Sequence, residues 1–394
     1  MDTMRKIISV ILLMMAPLCV LAQEGRIIRG NCLPDLDTEN TAAARGTQKR
    51  LGGIKTDWDP QKIYRQAVVL MSFKDRDFSM ENPREFYDSL FNYPGFNKGA
   101  GAGCVADYFR EQSGGMLNLQ FDVYGPYKVA FNAKLNPKAT ADTQEYGKYQ
   151  MIDATEKWLA EDTLRKNDIY AWNGNKNVNQ VIFIYAGYSG NEDHELSYGH
   201  IWPNTGSFAS ILTYDDYWVF NYSCSGELHY NNKSWGIGTI CHEFTHSLGL
   251  PDIYPTGSDN RLPLSVVDEW DLMDGGNFIN DGWCPPCYSG MERMLMGWQS
   301  PIELTEPTTI TDMRPLSEGG PVYMIRHTDN EYYLLENRQQ TGWDAGVPGK
   351  GLMIWHVNYS KSWWGGNAVN NSLGSPNYWL FLPIIWIIVH GKRT

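Results

Sequence analysis

His242 and His246 stand four residues apart in the run His242-Glu243-Phe244-Thr245-His246. In a helix both imidazoles would leave the same face one turn apart, which is the spacing needed to grip one metal ion. Glu243, next to the first histidine, would lie within reach of a water on that ion and could act as its general base. Gly249 is the residue type favoured where a helix ends in a left-handed residue, and Pro251 cannot continue the helix. The chain must turn there, and the turn can bring Asp252 back toward the histidines as a third donor. Three protein donors with one open position is the arrangement of a catalytic zinc site, whereas a structural site fills all four positions.

A second piece of chemistry lies in Trp270-Asp271-Leu272-Met273-Asp274-Gly275-Gly276. Met273 before a Gly pair suggests a tight turn with a soft side chain pointing inward, an apolar floor for histidine rings. Each signal has an ordinary explanation: H-E-x-x-H arises on plain amphipathic helices, and core methionines are common. Their coincidence with a helix stop and a third donor favours the metal reading, because zincins with a Met-turn pair these features.

The elements that must position these residues follow from pattern. Ala67 to Phe73 and Val178 to Tyr185 read as buried strands, with Leu117 to Val123 alternating as another that Gly125-Pro126 ends. Pro83 to Phe91 and Val105 to Gln112 read as short helices, and Gln144 to Leu164 as a long one covering a sheet. Trp218 to Tyr222 is a further strand before the histidine helix, which starts near Ile237, and Ile211 to Tyr222 is the candidate exposed edge along which an extended substrate could bind. Strands separated by helices predict an α/β unit built on a mixed, mostly parallel sheet around an active-site helix. After Pro301 the pattern changes. Thr308 to Asp312, Val322 to Arg326, Tyr332 to Asn337 and Leu352 to Val357 read as short strands between Gly, Pro and Asn, predicting a C-terminal all-β region.

Composition bounds the reading. The chain has 394 residues, a formal net charge of -12 and 42% hydrophobic residues, enough for a sizeable core. The acidic balance, with no basic run, excludes nucleic acid as an expected partner. Arg5 and Lys6, the apolar run from Ile7 to Leu21 and the small residue Ala22 form the pattern of an export signal over 1–22. A leader or pro-segment follows over 23–60, then a peptidase-like unit over 61–300 and the β-rich region over 301–378. The end, 379–394, is apolar with a basic tip, too short for an ordinary membrane helix and interrupted by Pro383. A buried strand fits it better than membrane contact. Of seven cysteines, Cys19 lies in the signal segment. Cys32, Cys104, Cys224, Cys241, Cys284 and Cys287 remain, an even number that permits disulfides in an exported chain.

Several segments together resemble the secreted bacterial metallopeptidases of the immune inhibitor A type, a metzincin-like family. They are AVVLMSFKDRDF, CVADYFREQSGG, FDVYGPY, VIFIYAGY, GIGTICHEFTHSLGLPDIY, EWDLMDGG and YYLLENRQQTGWDAGVPGKGLMIWHVN, spread over about residues 64 to 378. The resemblance implies a zinc endopeptidase acting on proteins or peptides outside the cell, with bound calcium in some members and zymogen processing. By position it implies His242, His246 and Asp252 as metal ligands, Glu243 as base and Met273 as the Met-turn residue. The acidic loop Asp252 to Asn260 has the composition of a calcium loop. Cys32-Leu33-Pro34-Asp35, upstream of the catalytic unit, has the makings of a zymogen switch in which a leader thiolate occupies the open metal position; a disulfide or idle thiol accounts for Cys32 equally simply. Two other functions compete. One is an inactive, zinc-stabilised adhesion or binding protein at the cell surface. The other is a membrane-associated surface factor with the apolar end inserted.

Overall fold

A computed structural model describes residues 56–96, 101–135, 147–161, 170–172, 177–178, 180–214, 217–259 and 261–381. The expected signal segment, most of the expected leader including Cys32, and the end beyond Phe381 lie outside the described residues.

The first sheet has six strands. At its centre run β1 (Ile63–Ser72) and β4 (Val181–Tyr188), parallel to each other, with β2 (Asn118–Lys128) parallel on the far side of β1. β6 (Tyr217–Leu228) lies parallel to β4, and the two-residue β3 (Asn177–Val178) extends the line of β4 along β6. β5 (Asn204–Tyr214) pairs antiparallel with the same β6 residues that face β4, so it occupies the opposite edge. The sheet is therefore mixed and mostly parallel. β2 does not stop at Gly125-Pro126 as its sequence suggests. It continues to Lys128, and the ladder slips register between Val69 and Met71 to absorb the irregularity.

Parallel strands buried on both faces need apolar residues on both. In β1, Tyr64, Val68 and Leu70 enter one hydrophobic cluster, while Ala67, Val69 and Met71 enter the other. β4 divides the same way, Ile182 and Ile184 against Val181, Phe183 and Tyr185. One face is covered by α3 (Lys148–Glu161) through Met151, Ala154, Trp158 and Leu159, while Tyr149 of the same helix is exposed. The other face carries α1 (Pro83–Asn92), α2 (Val105–Gln112) and α4 (Gly238–Leu248).

Beyond α5 (Gly290–Leu295) a second, five-stranded sheet follows in the order β11-β10-β9-β8-β7. Its strands are β7 (Ile302–Glu303), β8 (Tyr323–Arg326), β9 (Glu331–Arg338), β10 (Gly351–Asn358) and β11 (Tyr378–Phe381), with a short helix α6 (Lys361–Gly365) before the last. The expected strand over Thr308 to Asp312 is absent. Pro307 and Pro315 bracket it, and its residues are half-buried at most, so it has no row of side chains to bury. The apolar end instead begins as β11, antiparallel to β10. The inner face of this sheet, with Leu334, Met353, Trp355, Val357 and Tyr378, belongs to the same hydrophobic cluster as Phe244 and Leu248 of α4.

Charge also ties the second sheet to the segment that leads into α5. Arg338 of β9 is fully buried and donates to Glu336 at 2.7 Å, Asp344 at 2.8 Å and the carbonyl of Cys287 at 3.1 Å. Glu336 in turn accepts the backbone N–H of Gly290, the first residue of α5. Asp271 and Glu292 are buried close by, with one guanidinium already shared by two acids. Burial, with Asp274 adding to it, pushes the Asp271 carboxyl up to about 7. Burial and the charge of Asp271 raise Glu292 well above the carboxylate range. Two buried acids this close cannot both ionise.

Removing the cation while leaving its acids buried should cost about 3–5 kcal/mol. Arg338→Met is expected to unfold at correspondingly lower urea, and a loss under about 1 kcal/mol would show that the cluster does not hold β9 to the segment before α5. The Asp271 shift has a sign. Between the ordinary carboxylate value near 4 and about 7, the folded protein keeps a proton that the unfolded chain has released. This stabilisation is complete below about pH 4 and is lost as pH rises to about 7. Asp271→Asn should flatten that decline in urea midpoints measured across the window; an unchanged slope would assign it to other groups.

Candidate metal centre

The α4 sequence folds as its pattern demands. Gly249 caps it with φ 107°, and its N–H reaches the carbonyl of His246 at 2.9 Å. Pro251 keeps the chain turning, and the next residue, Asp252, comes to rest against both histidines. Asp252 Oδ1 lies 3.3 Å from His242 Nε2 and 3.2 Å from His246 Nε2. All three side chains are buried, and the two rings stand 4.8 Å apart at 89°.

The proton positions follow from the partners. His242 Nδ1 faces the carbonyl of Leu272 at 2.8 Å, and His246 Nδ1 faces the carbonyl of Leu250 at 2.8 Å. A carbonyl only accepts, so each Nδ1 carries the hydrogen, and in the neutral ring each Nε2 carries a lone pair. Neither Nε2, nor Asp252 Oδ1, has a hydrogen-bond partner. Burial alone would raise the Asp252 carboxyl; His246 and His242 outweigh it and hold the group below the usual carboxylate range only when their rings carry a positive charge. Buried unpaired acceptors facing one another are costly unless a cation or a proton sits among them. The donor set, two imidazole nitrogens and one carboxylate oxygen, suits zinc. Among the described residues this is the one group of histidine, cysteine or acidic side chains that could hold a metal ion.

Glu243 is buried on the same helix. Thr205 of β5, also buried, has its hydroxyl 3.0 Å from Glu243 Oε2 and within reach of the Glu243 carbonyl at 2.5 Å. The edge strand therefore touches the candidate base directly. The Ile211 to Tyr222 segment, suggested by sequence as a substrate-binding edge, is corrected by the topology. The Tyr217 to Tyr222 part lies in β6, which is paired on both sides; the Ile211 to Tyr214 part lies in the edge strand β5, whose stretch beside Glu243 is Asn204 to Ser207.

Met273 is fully buried in the main hydrophobic cluster. Its turn also braces the site through the backbone. The Leu272 carbonyl receives His242, and the Met273 carbonyl receives the N–H of Ile253 at 2.8 Å. Asp271 and Asp274 shape the turn, Asp271 accepting the Met273 N–H and Asp274 those of Val266, Val267 and Asp268.

Two residues that sequence reasoning did not single out belong here: Thr205, and Asn367, which bonds Asp252 twice from the segment between α6 and β11. The Asn-rich run from Asn367 to Asn371 was the available signal for the second. Other expectations fare differently. The acidic loop from Asp252 toward Asn260 gathers no second metal group: Asp252 is in the first, and exposed Asp259 pairs with Arg261 at 2.7 Å. Calcium therefore finds no support. Cys104, Cys224, Cys241, Cys284 and Cys287 are buried and free, and Cys104 caps α2 by accepting from the Asp107 N–H. No described helix is long and apolar enough to cross a membrane.

Comparison with known proteins agrees with this geometry. Residues 206–292, which include both histidines, Glu243, Asp252 and Met273, match the family described as immune inhibitor A peptidase M6, catalytic domain. The chain is 24% identical over 310 residues to Immune inhibitor A of Bacillus thuringiensis subsp. alesti, an alignment covering 64% of this chain. It spans 44% of that protein, less than half its length. The chain thus resembles the immune inhibitor A metallopeptidases, and the resemblance is concentrated on the segment that carries the candidate metal centre.

Proposed function

We propose that this chain is a zinc-dependent endopeptidase that hydrolyses peptide bonds in proteins. The observation that carries the reading is the convergence of His242 Nε2, His246 Nε2 and Asp252 Oδ1, none with a hydrogen-bond partner, beside the buried acid Glu243. The family match over the same residues supports a peptidase. The mixed sheet with an antiparallel edge strand, the histidine helix and the Met273 turn support a metzincin-like arrangement followed by a β-rich C-terminal region.

His242, His246 and Asp252 would hold the ion, which when bound supplies a Lewis acid and lowers the pKa of water toward about 7. Glu243 would take the proton from the attacking water and deliver it to the leaving nitrogen. Thr205, donating to the Glu243 carboxylate, holds it in one orientation for both transfers. An extended substrate would pair with β5, the edge strand that carries Thr205, once the cover over its buried stretch from Asn204 to Ser207 opens. Nothing in the site favours the inactive adhesion reading, since a scaffold has no use for a buried base beside the ligands. Export through the signal segment, and zymogen silencing through Cys32, are part of the same proposal.

Glu243→Gln should keep zinc at wild-type stoichiometry and lose at least about 100-fold in cleavage of a denatured protein, in line with the usual contribution of a positioned acid–base group. His246→Ala should lose the metal as well. Casein cleavage by Glu243→Gln at the wild-type rate would refute the role of the base. Cys32→Ser should shorten the lag before the full-length chain activates itself, and an unchanged lag would remove the switch.

A further inference from the structure

Asp252 has two carboxylate oxygens, and something must decide which one faces the histidines. Asn367 does so from the segment before β11, 115 positions away in sequence. Its amide nitrogen donates to Asp252 Oδ2 at 2.8 Å, and its amide oxygen accepts the Asp252 backbone N–H at 2.7 Å. The first bond fixes the rotation of the carboxylate, and the second fixes the main chain that carries it. With Oδ2 committed, Oδ1 alone remains for the space between the two imidazoles, where it has no hydrogen-bond partner. Asn367 is itself nearly buried and sits at φ 51°, a left-handed conformation that asparagine and glycine tolerate and most residues do not.

Its neighbours make a different kind of contact. Asn371 Oδ1 accepts the N–H groups of Thr256 at 2.8 Å and Gly257 at 3.0 Å. Asn370 donates to the Ile253 carbonyl at 2.9 Å and accepts from Asn377 and Tyr378. These two staple the loops together without touching a candidate ligand side chain.

We infer that Asn367 is a positioning residue that presents Asp252 to the metal through one oxygen; this rests on the metallopeptidase reading above. Carboxylate ligands are held by outer hydrogen bonds whose removal costs about 10–100-fold in metal affinity. The test is zinc affinity of the full chain by chelator competition, with the absorption spectrum of the cobalt-loaded protein. Asn367→Gly deletes the amide where glycine fits the backbone without strain. It should weaken zinc binding about 10–100-fold and change the cobalt spectrum. Asn371→Ala, which cuts a staple of the same loop, should leave both close to wild type. If Asn367→Gly does not fold, Asn367→Ser, too short to reach both atoms, is read in its place. Wild-type affinity and spectrum in the Asn367 variant, or an equal loss in Asn371→Ala, would overturn the inference. A wild-type chain that binds no zinc would instead overturn the metallopeptidase reading.

Discussion

Three lone pairs meet in a buried pocket with no protein hydrogen between them, and the surrounding hydrogen bonds keep them there. Left alone, His242 Nε2, His246 Nε2 and Asp252 Oδ1 repel one another, so the fold must spend packing and hydrogen bonds on holding them 3.2 to 3.3 Å apart. The holding groups are distributed. The Leu250 carbonyl comes from the helix stop, the Leu272 carbonyl from the methionine turn and the Asn367 amide from the connection between the last two strands of the second sheet. Each acts on an atom other than the one that faces the ion, so the restraint leaves the donor electrons available.

This distribution explains which parts of the site were legible in the sequence. His242, Glu243, His246, Gly249 and Asp252 lie within one helix and one turn, where spacing converts directly into geometry. Met273 was legible through its Gly pair. Thr205 and Asn367 were not, because what places them is tertiary: β5 had to be recognised as the sheet edge, and the Asn-rich loop had to fold back across the molecule. Single polar residues in loops carry no periodicity that could announce such a role.

The same contrast holds for the fold. Strands buried on both faces, such as β1 and β4, declared themselves as continuous apolar runs, and α2 kept the bounds read from its sequence. β5 was missed beyond its last residues since Thr205, Gly206 and Ser207 give no apolar pattern, and what makes the segment a strand is its ladder with β6. The Thr308 to Asp312 segment shows the reverse error, strand-forming residue types with no surface to cover. Nothing in the sequence marks Arg338, Glu336 and Asp344 as other than scattered charges, yet they form a buried ionic cluster. Charge pattern alone does not distinguish a solvated pair from one sealed beneath a sheet.

The order in which the pieces appear along the chain has a temporal meaning. A ribosome that has reached residue 300 has already made both histidines, the neighbouring acid and the carboxylate that completes the trio. It has not yet made the amide at position 367 that turns that carboxylate, nor β11, whose Tyr378 backbone anchors the asparagine loop through Asn370. Synthesis from the N-terminus therefore makes the three donors early and the amide that orients one of them late. A half-made copy has its reactive groups but lacks the last part that aims them.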